Sequence, residues 1–161
     1  MKYRHLGNSG LEVSVIGLGT NNFGGRMEFK EAREVIFSAL DQGINLIDTA
    51  NIYSHGRSEE IIGRALADRR QESLIATKFG MVWEDGPHGH GGSRKHIMDS
   101  LEGSLRRLQT DHVDLYQMHQ QDPDTPIEET LRALDDAVTS GKVRYIGLSN
   151  FDPWRIADAQ W

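Results

Sequence analysis

The sequence contains no cysteine, and this absence excludes disulfides, thiolate nucleophiles and cysteine-ligated zinc sites together. It has no apolar run long enough to cross a membrane, and its opening MKYRHLGNSG lacks the apolar core of a secretory signal. It also has no excess of positive charge, because 18 Lys plus Arg stand against 24 Asp plus Glu and the basic residues are scattered. We therefore expect a soluble, cytoplasmic protein that binds neither nucleic acid nor membrane.

What the chain does contain is enough apolar sequence for one core. Its 161 residues are 37% hydrophobic and 26% charged, a balance typical of a globular domain. A short hairpin is predicted at about 2–12, around Asn8-Ser9-Gly10, and apolar runs then alternate with helical patterns five times. The predicted strands are 13–20, 44–49, 73–79, 113–119 and 143–149. We predict a single domain over residues 1–161.

Each predicted strand is followed by apolar residues at helical spacing, with start and stop signals. Gly43 and Gly141 end the first and fourth helices. Asp152-Pro153 places proline after a capping residue, which predicts a fifth helix that runs to Trp161. The earlier helices are predicted near 28–42, near 57–69, from a cap at Ser93, and after Pro126.

Two architectures place parallel strands among helices: the doubly wound open sheet and the (β/α)8 barrel. The first strand ends in GLGTNNFGG, but Asn22 occupies the sixth position of a G-x-G-x-x-G pattern read from Gly17, which disfavours a Rossmann phosphate loop. Polar residues at the strand ends favour the barrel, since active sites of barrels lie at that end. We predict an α/β fold of the (β/α)8 TIM-barrel type, present as a partial barrel of five parallel βα units with an N-terminal hairpin.

Ionisable residues stand at the carboxyl ends of three consecutive strands, at Asp48, Lys78 and His119. Each shares a strand face with the residues two and four places before it, most of them apolar, so the three side chains can converge. Tyr53 follows Asp48 in the next loop. Taken singly, these residues also fit a turn former, a solvated charge, a loop residue and a packing aromatic. Their common position favours a proton-transfer site.

These residue types suit the protonation of a carbonyl oxygen. A tyrosine hydroxyl is a weak acid at neutral pH unless a nearby cation stabilises its phenolate. Lys78 can supply that cation, Asp48 can hold the ammonium in place, and His119 can donate to the carbonyl oxygen or orient it. Because no side chain delivers a hydride, carbonyl reduction at this site requires a nicotinamide or a flavin.

Five stretches closely resemble the aldo-keto reductases, particularly the bacterial members akin to potassium-channel β subunits: LGNSGLEVSVIGLGT, NLIDTANIYSHGRSEEIIGRAL, LIATKFG, DHVDLYQMH and GKVRYIGLSNF. The resemblance implies a barrel closed at its base by the hairpin, and NADP(H)-dependent reduction of aldehydes or ketones with Tyr53 as the proton donor. It places the catalytic tetrad on Asp48, Tyr53, Lys78 and His119. It implies that the cofactor, NADPH with NADH as the alternative, contacts Gly19, Thr20, Asn21, Asp48, Ser149 and Asn150.

The chain departs from the family pattern in two respects. Asn21 stands where many members carry tryptophan, whereas His119 is kept, which favours an enzyme over a channel-subunit-like sensor. A full barrel needs about 250 residues and eight strands, and this sequence supplies five strands. The absent strands carry most of the family's cofactor-binding residues. The alternatives are therefore a fragment of a longer enzyme, a truncated chain that folds by self-association through open sheet edges, or a channel-subunit-like protein that binds the cofactor without turnover.

The segment EDGPHGHGGSRKH raises a competing hypothesis, because His88, His90 and His96 could together hold a metal ion. The many glycines of this region instead favour a mobile loop beside the active-site mouth, with Trp83 lining the pocket. We therefore predict no metal site.

Overall fold

The computed structural model describes residues 1–160, in which the chain forms two sheets. A small antiparallel hairpin joins β1 (Tyr3–His5) to β2 (Glu12–Ser14). The larger sheet holds five parallel strands in the sequential order β3 to β7. Trp161, where the fifth helix was expected to end, lies outside the described residues.

A helix follows every strand of the larger sheet. The strands are β3 (Leu18–Gly19), β4 (Leu46–Asp48), β5 (Leu74–Phe79), β6 (Val113–Met118) and β7 (Val143–Leu148). The helices are α1 (Phe29–Asp41), α2 (Arg57–Ala65), α3 (Arg94–Leu108), α4 (Ile127–Thr139) and α5 (Pro153–Asp158), and a 3-10 turn spans Arg70–Glu72. Each strand from β4 to β7 pairs in parallel with the strand before it, which is the geometry of consecutive βα units. The predicted partial (β/α)8 barrel with an N-terminal hairpin is confirmed.

The helix boundaries follow the signals in the sequence. Gly43 and Gly141 adopt left-handed φ angles of 84° and 77° directly after α1 and α4, a conformation that favours glycine. The Ser93 hydroxyl accepts a hydrogen bond from the His96 backbone N–H and so caps α3. Helix α5 begins with proline at its first position, as predicted.

The predicted strand 13–20 is divided between two elements. Val13 and Ser14 belong to β2, so the hairpin extends past residue 12, and the parallel sheet receives only Leu18–Gly19. The reason is a reciprocal contact in which the Ser14 N–H donates to Oδ1 of Asn45 (2.8 Å) and the Asn45 N–H donates to Oγ of Ser14 (3.1 Å). This contact fastens the hairpin to the segment before β4 and turns the chain between β2 and β3.

The hydrophobic core lies between the helices and one face of the larger sheet. Its largest fully buried side chains include Ile75, Phe79, Tyr116 and Met118 from the two central strands, packed on helix residues such as Ile97. The other face, which we call the inner face because a closed barrel would enclose it, carries the partly exposed Leu46, Leu74 and Tyr145. None of the helices within residues 1–160 combines the length and apolar character needed to span a bilayer.

Candidate active site

An ion pair between Lys78 and Asp48 forms the centre of the site. In the parallel register Asp48 lies level with Ala76, so Lys78 stands two residues further along β5 on the same face. Its ammonium donates to both carboxylate oxygens of Asp48 at 2.7 Å and to the Thr49 carbonyl at 2.8 Å. The Lys78 side chain is 8% exposed and that of Asp48 is 37% exposed. The lysine is therefore fixed by its neighbours, while the carboxylate still faces the open inner surface.

A chain of hydroxyl groups supports the strand end that carries Asp48. Both the N–H and the Oγ1 of Thr20 are hydrogen-bonded to the Asp48 carbonyl, at 3.0 and 2.9 Å. Ser58 in turn donates to the Thr20 carbonyl at 3.0 Å, and its hydroxyl lies 2.9 Å from that of Thr49. Thr20 is completely buried. The structure thus gives Thr20, expected near the cofactor, a supporting contact under Asp48 rather than an exposed surface.

Tyr53 lies over this ion pair and beside the histidine. The Nζ atom of Lys78 is 5.4 Å from the centroid of the Tyr53 ring. The ring of His119 meets the Tyr53 ring edge-on, with centroids 5.8 Å apart and planes at 78°. The four residues predicted from the sequence to form a proton-transfer site are therefore brought together at one end of the sheet.

His119 directly follows β6, where its N–H donates to the Phe79 carbonyl at 2.8 Å. Its Nδ1 atom is buried and has no hydrogen-bond partner within residues 1–160. Burial lowers the pKa of His119 below the usual value for histidine, the Lys78 ammonium lowers it further, and Asp48 opposes the shift. The imidazole is therefore neutral at pH 7, a state in which one ring nitrogen donates a hydrogen bond and the other accepts one.

Ser149 and Asn150 lie next to His119, at the end of β7. The Ser149 N–H donates to the Met118 carbonyl at 2.9 Å. Asn150 adopts a left-handed φ of 55°, and its amide donates to the His119 carbonyl at 2.7 Å and to the Ser149 hydroxyl at 3.0 Å. These contacts hold both polar side chains at the edge of the site.

Gly19 and Asn21 stand on the opposite side of the site. Gly19 is level with Asp48 in the parallel register. A Cβ atom built on Gly19 meets no atom within 4 Å. Asn21 is exposed. Both residues thus border open space beside Asp48, and their predicted contact with a cofactor stays a prediction.

Sequence reasoning missed several polar residues that support the site. Gln117 places its amide nitrogen 3.5 Å from Oδ1 of Asp48, and its place on the same strand face as His119 was a usable signal. Glu59 is fully buried and is paired with Arg107, whose Nε donates to it at 2.7 Å. No local pattern distinguishes this carboxylate from a solvated one, because its partner is 48 residues away.

The histidines of the glycine-rich loop do not converge. His96 is buried, with Nδ1 2.7 Å from the His88 carbonyl and Nε2 3.2 Å from the Ser100 hydroxyl. Burial lowers the pKa of His96, an effect only partly opposed by its contact with the His88 carbonyl. Across the described part of the chain, no three side chains of His, Asp or Glu are grouped as metal ligands. His96 here acts as a packing residue that fastens the loop to α3.

Comparison with known proteins agrees with this geometry. Residues 15–161 match the model of the "Aldo/keto reductase family". The chain is 45% identical to the aldo-keto reductase YhdN of Bacillus subtilis, with 94% of this chain and 47% of that protein aligned. It is 42% identical to the L-glyceraldehyde 3-phosphate reductase of Escherichia coli K12 (96% and 47% aligned). It is also 40% identical to a probable voltage-gated potassium channel subunit beta of Oryza sativa (99% and 49% aligned).

The solved structures agree as well. The holo form of the aldo-keto reductase AKR11C1 from Bacillus halodurans superposes with a TM-score of 0.89 at 41% identity, covering 98% of this chain and 53% of that one. The chain spans about half the length of the curated relatives that it matches. With a family match over nearly all of its residues and the same fold as a solved member, the chain belongs to the aldo/keto reductase family.

Proposed function

We propose that the chain carries the catalytic residues of an NADPH-dependent reductase that converts aldehydes or ketones to alcohols, with Tyr53 as the proton donor. The single observation that carries the proposal is the position of the Lys78 ammonium, which both oxygens of Asp48 hold at 2.7 Å while it lies 5.4 Å from the Tyr53 ring. A cation held beside a phenol favours the anion that remains after proton transfer. This arrangement is the requirement for a tyrosine that acts as a general acid.

Each side chain then has a defined task. The Tyr53 hydroxyl gives its proton to the carbonyl oxygen, and Lys78 stabilises the phenolate that is left. Asp48 keeps the ammonium in place. The neutral ring of His119 supplies a hydrogen bond that orients the same carbonyl oxygen. A bound nicotinamide supplies the hydride, which no side chain can deliver.

The residues around the tetrad fit a nicotinamide. Ser149 and Asn150 offer a hydroxyl and an amide beside His119, groups that suit a carboxamide. Across the site, a Cβ atom at Gly19 would meet no atom within 4 Å, so the backbone beside Asp48 is open to the approach of a planar ring. We assign the carboxamide to Ser149 and Asn150, and the opposite edge of the ring to Gly19, Asn21 and Asp48. NADPH is the cofactor proposed, with NADH as the alternative.

An assay of turnover tests the proposal. The chain is mixed with NADPH and a reactive aromatic aldehyde, and absorbance is followed at the nicotinamide band. Tyr53→Phe should lower turnover by at least about a hundredfold, because it removes the general acid and leaves the ring. Tyr3→Phe is the matched control, since Tyr3 lies in the hairpin and its hydroxyl donates to the carbonyl of Gly43, just after α1. Turnover that survives Tyr53→Phe contradicts the assignment.

A second candidate function is cofactor binding without turnover, and the exposed edge of the sheet favours it. Ile146 on β7 is 41% exposed and Ile156 on α5 is 40% exposed. These residues line an apolar groove of about 330 Å³ between α4, β7 and α5. A half-barrel that binds NADPH, self-associates through this edge and shows no turnover would support this alternative. Sedimentation of the chain with and without NADPH, measured beside the assay, separates the two.

A further inference from the structure

The turn directly after Tyr53 has an unusual backbone. Ser54, His55 and Gly56 all adopt left-handed conformations, with φ angles of 50°, 52° and 82°. Residues other than glycine rarely adopt this conformation, and two in succession persist only where surrounding contacts hold them. We call residues 53–56 the Tyr53 turn. Its shape fixes where the Tyr53 ring emerges above Lys78, so the contacts that hold the turn also set the geometry of the site.

The side chain of Arg107, from α3, packs directly against this turn. A Cβ atom added to Gly56 would lie 2.6 Å from Cδ and 2.8 Å from Nε of Arg107, and 3.3 Å from Cη2 of Trp83. Arg107 therefore occupies the space that a side chain at position 56 would need. It forms a wall behind the Tyr53 turn.

The same arginine is fixed by a buried carboxylate. Its Nε donates to Oε2 of Glu59 at 2.7 Å, and the other oxygen of Glu59 accepts a hydrogen bond from Oγ1 of Thr77 at 2.5 Å. Glu59 has no exposed surface, so its charge depends on Arg107 for neutralisation. Thr77 precedes Lys78 on β5. One carboxylate thus joins the wall behind Tyr53 to the strand that carries its cationic neighbour.

Arg107 also contacts the glycine-rich loop. Its guanidinium lies over the indole of Trp83, 4.7 Å from the ring centroid, and the indole meets the exposed His55 edge-on at 6.1 Å. Trp83 is held in the loop by its backbone N–H, which donates to the Gly89 carbonyl at 2.9 Å. The loop and the Tyr53 turn therefore share one anchor.

We propose that Arg107 is a positioning residue for Tyr53, which couples the order of the Tyr53 turn to the order of the loop from Met81 to Gly89. The inference rests on the proposed function, because it gives Tyr53 the role of proton donor. Arginine suits the task because its planar guanidinium can stack on Trp83 while Nε donates to Glu59, whereas a lysine ammonium can do only the second. The coupling is a physical property of the chain and is measurable without turnover.

Amide hydrogen exchange on the full 161-residue chain tests the coupling. In Arg107→Lys we expect exchange of residues 53–57 and of 81–89 to rise together by at least about threefold, while β5 and β6 exchange as in the parent chain. Arg106→Lys is the matched control, since this neighbouring arginine is exposed and takes no part in these contacts. Unchanged exchange in the Tyr53 turn, or faster exchange of the loop alone, overturns the proposal.

A second variant answers the case in which Arg107→Lys fails to fold. The double substitution Glu59→Gln with Arg107→Gln removes both charges, so that no unpaired charge remains buried. It should give the same joint rise in exchange, and separate behaviour of the two segments overturns the proposal here as well.

Kinetics separate positioning from a purely structural role. Arg107→Lys should lower kcat by about tenfold with the KM for NADPH unchanged, because it displaces the proton donor and leaves Ser149 and Asn150 in place. An unchanged kcat beside faster exchange contradicts the positioning role. A parent chain that shows no turnover contradicts the proposed function, and the exchange measurement then still decides whether Arg107 couples the two segments.

Discussion

The middle of the larger sheet and its β7 edge differ in how their side chains are enclosed. Strands β5 and β6 have a neighbour on each side, and Ile75, Phe79 and Tyr116 have no exposed surface. Strand β7 has one neighbour, and Ile146 is 41% exposed. The Lys78–Asp48 ion pair joins β5 to the neighbouring strand β4, away from the β7 edge, whereas Ser149 and Asn150 lie at that edge.

This difference separates the two tasks of the proposed site. The groups proposed for proton transfer are held by contacts within this chain, including three hydrogen bonds from Lys78. Ser149 and Asn150, which we propose bind the carboxamide, follow β7, which pairs with β6 alone among the described strands. We therefore expect the proton-transfer geometry to depend on the central strands and the affinity for a cofactor to depend on the sheet boundary.

The largest expected effect comes from removing the positive charge of Lys78. Lys78→Met should lower turnover by about a thousandfold, because the phenolate of Tyr53 loses its cation. Lys142→Met, directly before β7, is the control, since Lys142 forms its ion pair with the partly exposed Glu102 on α3. The measurement is NADPH consumption with saturating aldehyde. Turnover within about tenfold of the parent chain in Lys78→Met would place the function elsewhere.

A matched pair of isoleucine substitutions compares how much the centre of the sheet and the β7 edge contribute to stability. Ile75→Ala, at a position with no exposed surface, should reduce the free energy of unfolding by about 2–5 kcal/mol through a cavity in the centre of the core. Ile146→Ala makes the same change at 41% exposure and should cost less than about 1 kcal/mol. Urea unfolding followed by circular dichroism measures both. Equal costs would mean that β7 is covered in solution, for example by a second copy.

A smaller effect concerns the imidazoles of the buried His96 and the half-buried His119. Burial lowers the pKa of His96, and burial together with Lys78 lowers that of His119. Below the ordinary histidine pKa of about 6.5, the unfolded chain therefore binds more protons than the folded chain does. The contribution of these two groups to stability is fully present above that pH and is lost as the pH falls below it.

The urea concentration at the midpoint of unfolding should accordingly be lower at about pH 5.5 than at about pH 7.5. His96→Gln should flatten this dependence, while His5→Gln in the exposed hairpin should leave it unchanged. A midpoint that rises on acidification would contradict the assignment of both imidazoles as neutral in the folded chain.

Much of the fold could be predicted because its signals are local. Apolar runs, the helix cap at Ser93, the proline that begins α5 and the stop at Gly43 each lie within one element. The Asp152 side chain, predicted as a second cap, makes no capping hydrogen bond. Parallel strands also bring their carboxyl ends to one edge, so Asp48, Lys78 and His119 could be grouped from strand order alone. The resemblance to a known family added Ser149 and Asn150.

The features that could not be predicted from the sequence depend on contacts between distant segments of the chain. The run VSVIGLGT looks like one strand, but the two hydrogen bonds between Ser14 and Asn45, 31 residues apart, accompany its division between hairpin and sheet. The burial of Thr20 follows from Ser58, 38 residues away. Glu59 and Arg107 look like solvated charges on amphipathic helices until tertiary packing joins them.

The sequential strand order has a consequence for how the chain is made. Each strand of the larger sheet finds its partner among residues already synthesised, since β4 needs only β3, β5 needs only β4, and so on to β7. Because each pairing joins strands that are neighbours in sequence, the pairings can form in order from the N-terminus as the ribosome releases the chain. The groups that meet at Tyr53 are therefore expected to assemble as soon as β6 and its following histidine emerge, before the edge strand is available.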